Sequence, residues 1–266
     1  MDRRLFVAWR RMLQPDRTLL NDEQWRTIEP HIPANENSPG RKAIGGNRRF
    51  LEAILFLIRT GIPWRDLPRH FGHWNSIYKR FARLAETGVW ETVFGILTGG
   101  KLDLSEVSVD SSAVRAHQHA AGARKAEGDQ AIGRSRGGPT TKIHAVAEAV
   151  GRLVHFLLTG GNVNDCTQGP ALLESVPAEN ALGDKAYDTN EIIETIERNG
   201  GNAVIPSKSN RKVIRSLDTE RYKNRNKIER LFCWLKSFRR IATRYEKLAR
   251  RFANLILVAG IYLWAG

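Results

Sequence analysis

The chain has 266 residues, with 42 Lys or Arg against 28 Asp or Glu, for a formal charge of +14 and a pI near 10.2. Its 41% hydrophobic residues suffice for one large core or two small ones, which excludes a disordered chain. The positive charge recurs from end to end, at Arg48, Arg83, Arg124, Arg136, Arg211 and Arg244. An extended polyanion therefore fits better than a small anionic substrate, and nucleic acid better than an anionic membrane. Cys166 and Cys233 lack CxxC spacing, so a disulfide framework and a structural zinc site have no support and a reducing, cytoplasmic setting is expected. The opening MDRRLFVAWRRMLQPDRT lacks the apolar run and cleavage site of a secretory signal. FANLILVAGIYLWAG at the other end falls short of the ~20 residues of a membrane span and reads as a packed terminal helix.

In chain order, residues 1–20 read as an N-terminal extension and residues 21–97 as a helical domain. Asn21 with Gln24 three positions on has the pattern of a capping box. After the loop PANENSPGRKAIGGN, Leu51, Ile54, Leu55 and Ile58 repeat at helical spacing and Gly61 supplies a stop. In HWNSIYKRFARLAETG, Trp74, Tyr78, Phe81 and Leu84 form an inner stripe, and Lys79, Arg80 and Arg83 lie elsewhere on the helix. Three short helices, the last bearing exposed cations, suit either a helix-turn-helix DNA reader or a plain bundle with a solvated basic face.

TGGKLDL marks a boundary, and from residue 104 to 266 the texture becomes that of an α/β domain. EVSVDSSAV alternates as a strand does, KIHAVAEAV and RLVHFLLTG flank Gly151 as a hairpin, and ENALGD and NAVIPS are short β-prone runs. DCTQGPALLESV and TNEIIETIERNG have helical patterns between them, and the basic loop at 117–139 interrupts the domain.

Three acids stand out. Asp110 follows VSV in a strand pattern, and Asp184 follows the short apolar run of ALGD. Ligands in open α/β sheets gather at the carboxyl ends of strands, where the two acids converge if their strands are neighbours. Glu229 is the lone acid in the basic stretch YKNRNKIERLFCWLK. With that stretch as one helix and Tyr222 at zero, Arg225, Glu229 and Lys236 fall at roughly 300°, roughly 340° and roughly 320°, a single stripe. Arg225 and Glu229 are equally an i, i+4 ion pair of a solvated helix, worth about 0.3–0.5 kcal/mol. Three carboxylates offer the hard oxygen ligands that Mg²⁺ or Mn²⁺ takes, and two such ions about 3.5–4 Å apart can serve an in-line displacement at phosphorus.

DSSAVRAH, GGPTTKIHAV, FLLTGGNVNDC, DKAYD, VIPSKSNRK and YKNRNKIERLFCWLKSFRRIATRYEKL resemble successive blocks of bacterial insertion-sequence transposases of the DDE class, in the insertion-sequence-five family. LNDEQW, RTGIPWRDLP and GVW are similar to that family's N-terminal domain, so the resemblance covers the chain from about residue 20 onward. Tyr222, Arg225, Glu229 and Lys236 match the Y-x2-R-x3-E-x6-K signature of the wider group at every position. The first 18 or so residues depart from the pattern. The resemblance implies a ribonuclease-H-like mixed-sheet core with Asp110, Asp184 and Glu229 as catalytic, metal-binding triad, holding two Mg²⁺ or Mn²⁺ ions. Tyr222, Arg225 and Lys236 would contact DNA phosphates or tune the acids. It further implies binding of double-stranded DNA at terminal inverted repeats, hydrolytic nicking, joining of 3′-hydroxyl ends to target DNA, and an assembly of at least two copies. A catalytically silent DNA-binding repressor and a non-transposing nuclease of the same fold are the alternatives.

Other residues carry weaker signals. His117 and His119 lack the Cys pair that a zinc site would need, and His144 reads as a satisfied strand histidine. Asp165 reads as a helix cap, and Asp188 as a cap or a decoy ligand. Lys142 and Arg211 are candidate phosphate contacts. Arg239, Arg240, Arg244, Lys247, Arg250 and Arg251 form either a solvated face or a DNA clamp.

Overall fold

The computed structural model describes residues 20–33, 46–123 and 128–266. The N-terminal extension up to residue 19, most of the Pro/Gly/Asn-rich loop and Arg124 lie outside the described residues. The chain divides into two compact units: Met1–Gly99 with Ser237–Ile241 and Ala253–Gly266, and Gly100–Lys236 with Ala242–Phe252.

The first unit is helical. Helix α1 (Asp22–Ile28) starts with the reciprocal box, Asn21 Oδ1 accepting from the Gln24 N–H and Gln24 Oε1 from the Asn21 N–H. Helix α2 (Gly46–Thr60) buries Leu51, Ile54, Leu55 and Ile58 and ends at Gly61, whose φ of 76° is left-handed. Helix α3 (Trp74–Glu86) presents Ile77, Phe81, Leu84 and Ala85 to the core, whereas Trp74 and Tyr78 are only half-buried. A further helix, α4 (Val89–Thr98), adds the fully buried Trp90, stacked on Phe50 at 6.2 Å. Arg80 departs from the sequence expectation. It is buried, its guanidinium lies 4.2 Å from the Phe50 ring centroid and it donates to Asn47 Oδ1. The aliphatic stem and planar head of arginine allow such an interior site when ring and amide both receive it. Lys79 and Arg83 are exposed.

The chain's last helix begins in the second unit and continues into the first. Its buried Leu255, Ile256 and Val258 explain why the C-terminal apolar run clusters with the helical unit, where Asn254 Nδ2 also donates to Glu91 Oε1 at 3.3 Å. Among the described residues no helix is long and apolar enough to cross a membrane.

The second unit is built on a mixed sheet of seven strands: β1 (Val107–Ala116), β2 (Gly133–Ser135), β3 (Gly138–Ala147), β4 (Leu153–Gly160), β5 (Asn180–Leu182), β6 (Asn202–Val204) and β7 (Thr243–Arg244). Along its main body the order is β4-β3-β1-β5-β6; β4, β3 and β1 form an antiparallel meander, and β5 and β6 continue parallel to β1. This is the ribonuclease-H-like arrangement. The β3–β4 hairpin turns through Gly151, at φ 95°. Helices α5 (Gly169–Leu173) and α6 (Asn190–Arg198) cover the sheet, with Leu172, Ile192 and Ile196 joining Val107, Val109 and Ala181 in one buried cluster.

The YKNRNKIERLFCWLK stretch is not one continuous α-helix. Helix α7 (Thr219–Tyr222) gives way to a 3₁₀ turn at Lys223–Arg225 before α8 (Asn226–Ser237). The chain tightens where Asn224 Nδ2 and Lys227 Nζ both reach the buried Glu106, at 3.1 and 3.0 Å.

The terminal basic run is not a uniform face either. Beyond the short α9 (Arg239–Ala242), Arg240 is buried and donates to the Ile62 carbonyl at 2.6 Å. Arg244, ahead of the last helix, α10 (Ala249–Trp264), is wholly buried. It donates to the carbonyls of Gln130, Glu246 and Lys247 and to Thr141 Oγ1 at 2.7–3.1 Å, and burial lowers its pKa to about 10. Orphaned buried acceptors cost about 1–3 kcal/mol each, so Arg244→Met is expected to remove at least about 3 kcal/mol of stability in urea unfolding.

Candidate active site

Sheet register places the first two acids. Ser108 pairs with Leu182 across the parallel β1–β5 ladder, and Asp110 and Asp184 each lie two residues beyond that pair. Asp110 sits within the central strand rather than at its end, just past the point where β5 stops. Asp184 caps the 3₁₀ turn Lys185–Tyr187, accepting from the Ala186 N–H at 2.8 Å. Burial pushes the Asp110 pKa upward. The Ser111 N–H at 2.7 Å and the Arg225 guanidinium offset this in part, while the charges of Asp184 and Asp165 add to it.

Arg225 ties the third acid in. Its Nη1 donates to Asp110 Oδ2 at 3.1 Å and its Nη2 to Glu229 Oε1 at 2.6 Å, so one guanidinium joins the central strand to α8. Burial alone would lower the Arg225 pKa. Glu229, Asp110, Tyr222 and Asp184 together hold it above the ordinary value. Arg225 thus meets two of the acids directly, and the charges of Tyr222 and Asp184 also act on it. Lys236 is half-buried in the last turn of α8.

Two residues that the sequence did not single out lie next to this geometry. Glu106, at the foot of β1, anchors the start of α8 through Asn224 and Lys227. Tyr187 is buried with an unpartnered hydroxyl; burial, then the charges of Asp110, Asp165 and Asp184, keep it protonated far above the usual tyrosine range. Neither carries a sequence signal, since an acid before a strand and a tyrosine after a turn are ordinary.

The remaining candidates divide. Lys142 Nζ donates to Asp165 Oδ1 at 2.8 Å and to the Val163 carbonyl at 2.7 Å, so Asp165 is an ion-pair partner and Asn164 stands at the N-cap. His144 is fully buried, with Nε2 2.8 Å from Thr159 Oγ1; burial lowers its pKa to about 4. His117 accepts from the His119 N–H and packs on Tyr245. Arg211 is turned onto Asp188, which it meets through Nε at 3.0 Å and Nη2 at 2.9 Å. Asp188 also accepts from Arg215 Nη2 and from the Lys208 N–H at 2.7 Å.

Among the described residues no group of three or more His, Cys, Asp or Glu side chains is arranged as a ready-made metal cage. The donor chemistry nevertheless fits a hard divalent cation. The charge of Asp184 adds to the cost of ionising Asp110, and the Arg225 guanidinium shared with Glu229 already brings a positive charge to that carboxylate.

A family model described as "Transposase DDE domain" matches residues 101–264. This chain belongs to the DDE transposases. Members of the family are enzymes of DNA cleavage and strand transfer, they bind DNA, and they use divalent metal ions. A second model, "Putative transposase of IS4/5 family", matches residues 20–94 of this transposase. "Putative transposase for insertion sequence element IS6501" of Brucella ovis is 34% identical over 47% of this chain and 98% of its own length. "Uncharacterized protein y4sN" of Sinorhizobium fredii is 40% identical over 41% of this chain and 86% of its own. Among solved structures, "Mos1 transposase paired-end complex with left transposon end" overlaps 65% of this chain and 61% of that chain, with 11% identity and a TM-score of 0.25.

Asp188 generates a prediction about stability. Burial alone would raise its pKa, but Arg211, Arg215 and the Lys208 N–H hold it well below the usual range. A depressed folded pKa contributes stability that is present above the unfolded value of about 3.9 and is lost as pH falls toward the folded value. Asp188→Asn is therefore expected to cost about 3–5 kcal/mol at pH 7 in urea unfolding, with the gap to wild type closing below about pH 4.

Proposed function

We propose that Asp110, Asp184 and Glu229 are the acidic triad of this transposase and hold two Mg²⁺ or Mn²⁺ ions. The observation that carries the reading is the single guanidinium that joins Asp110 to Glu229 beside Asp184. Bound there, the ions would supply Lewis-acid stabilisation of the attacking and leaving oxygens at phosphorus. The chain's own residues do the rest. Tyr222, Arg225 and Lys236 line the stretch around Glu229, where hydroxyl, guanidinium and ammonium orient a DNA phosphate by charge-assisted hydrogen bonds. The Ser111 N–H on Asp110 Oδ1 fixes that carboxylate so that its second oxygen, Oδ2, faces the positive charge of Arg225. Glu106 keeps α8 in register with β1, so that Glu229 stays opposite Asp110.

The substrate in this reading is the pair of terminal inverted repeats of an insertion sequence, with Lys79 and Arg83 on α3 as the cations available to the DNA backbone. Arg80 belongs to the core, and Lys142 and Arg211 act through the acids that they hold. Bringing two element ends to one target requires at least two copies of the chain.

Incubating the protein with its element's terminal repeats and Mg²⁺ tests the reading. Wild type is expected to nick and to join 3′ ends, and chelation of the metal to stop both. Asp184→Asn and Glu229→Gln are expected to lower nicking by at least about 10³-fold, the scale at which an essential electrostatic group is lost, while end binding changes by less than about threefold. Nicking at the wild-type rate by either variant would refute the triad. Binding without cutting by wild type would point to a repressor, and cutting without joining to a nuclease.

A further inference from the structure

The segment Ser207–Arg215 inverts the usual arrangement of a surface loop. Its arginines point inward: Arg211 and Arg215 both close on the fully buried carboxylate of Asp188, and Arg211 Nη1 also donates to Asn190 Oδ1. Its apolar side chains point outward, Val213 at 76% and Ile214 at 73% exposure. With Ile96 they are the exposed large hydrophobic residues of the described chain. A lone exposed aliphatic residue is ordinary, but two adjacent β-branched ones held out from a pinned loop are not.

The pinning is extensive. The Arg215 N–H donates to Ser207 Oγ at 3.1 Å and closes the loop, and the Arg211 N–H donates to the Lys208 carbonyl at 3.1 Å. The Lys208 N–H reaches Asp188 at 2.7 Å, and Lys208 Nζ reaches the Ala186 carbonyl at 3.3 Å. Ala186 belongs to the turn that Asp184 caps. The apolar tip is thus braced against the same turn that carries a triad acid. It sits in a strongly basic chain, beside the exposed Lys212.

The phosphates of DNA explain the cations but not the aliphatic pair; its stacked bases explain the pair. We infer that Val213 and Ile214 are an apolar wedge that enters the base stack of the DNA duplex next to the phosphodiester that is cut, with Asp188 as the brace that holds the wedge rigid. Aliphatic side chains inserted at a base step unstack it, and contacts to the deformed duplex offset the cost. A stiff mount suits this role, because a floppy loop would fold its apolar tip back onto the protein. The inference rests on the proposed active site, since that site says which DNA lies alongside.

The test uses the full chain, duplexes of the terminal repeat carrying 2-aminopurine at successive positions around the cleaved phosphate, and the double variant Val213→Ser/Ile214→Ser. Wild type is expected to raise the fluorescence severalfold at one step. The variant is expected to bind the end within about threefold of wild type, to lose that rise, and to nick paired duplex at least about tenfold more slowly, because unstacking must then occur unaided. Duplexes with unpaired bases at that step are expected to restore its nicking, and Val213→Leu/Ile214→Leu to retain the rise. Several results would overturn the wedge: an unchanged fluorescence rise in the serine variant, wild-type nicking without any rise, or a variant whose only defect is weakened self-association, which would assign the pair to a contact between copies. Wild type that unstacks the end without nicking it would leave the wedge standing and remove the active-site reading instead.

Discussion

The catalytic unit depends on one guanidinium placed between two carboxylates. Asp110 belongs to the central strand and Glu229 to α8, and Arg225 meets both, at 3.1 and 2.6 Å. Burial, with the charges of Asp184 and Asp165, makes Asp110 harder to ionise than an exposed aspartate, and the Arg225 guanidinium offsets part of that cost. The bridge therefore positions α8 as well as neutralising the pocket. It also has a partner just before the start of β1: Glu106, holding Asn224 and Lys227, fixes the turn from which Arg225 projects. Strand and helix are joined at two points.

Arginines held by partners within the protein recur away from the site and change the meaning of the chain's charge. A formal +14 suggests a coat of cations waiting for DNA. Many of the arginines are committed inside instead. Arg80 lies on Phe50, Arg240 on a backbone carbonyl, Arg244 among four oxygen acceptors, and Arg211 and Arg215 on Asp188. Each acts as a strut, because a planar head with five donors can satisfy several buried acceptors at once. The cations available to a polyanion are a subset, Lys79, Arg83 and Lys212 among them.

Periodicity made several elements legible. The α2 stripe, the Asn21–Gln24 box and the β3–β4 hairpin about Gly151 follow from local rules, and the structure contains each of them. Local rules failed where a distant partner intervened. Arg80 looked exposed by its place on the helical wheel, yet Phe50 and Asn47 draw it inward from another helix. The stretch from Tyr222 to Lys236 looked like one helix, yet Glu106, more than a hundred residues earlier, holds its first part in a tighter turn. Arg211 looked like a phosphate contact because nothing adjacent in sequence reveals Asp188 as its partner.

By itself the sequence determined which chemistry the chain carries: hard carboxylates, a Tyr–Arg–Glu–Lys spacing, and a basic balance suited to a polyanion. Only the tertiary structure decided which of those groups meet. The Ser108–Leu182 register levels Asp110 with Asp184, the Arg225 bridge brings Glu229 to them, and the Asp188 clamp turns two arginines in and two aliphatic residues out. The reason is physical. Spacing within one element fixes neighbours a few residues apart, whereas strand register and the burial of charge depend on partners far along the chain, whose positions no local pattern encodes.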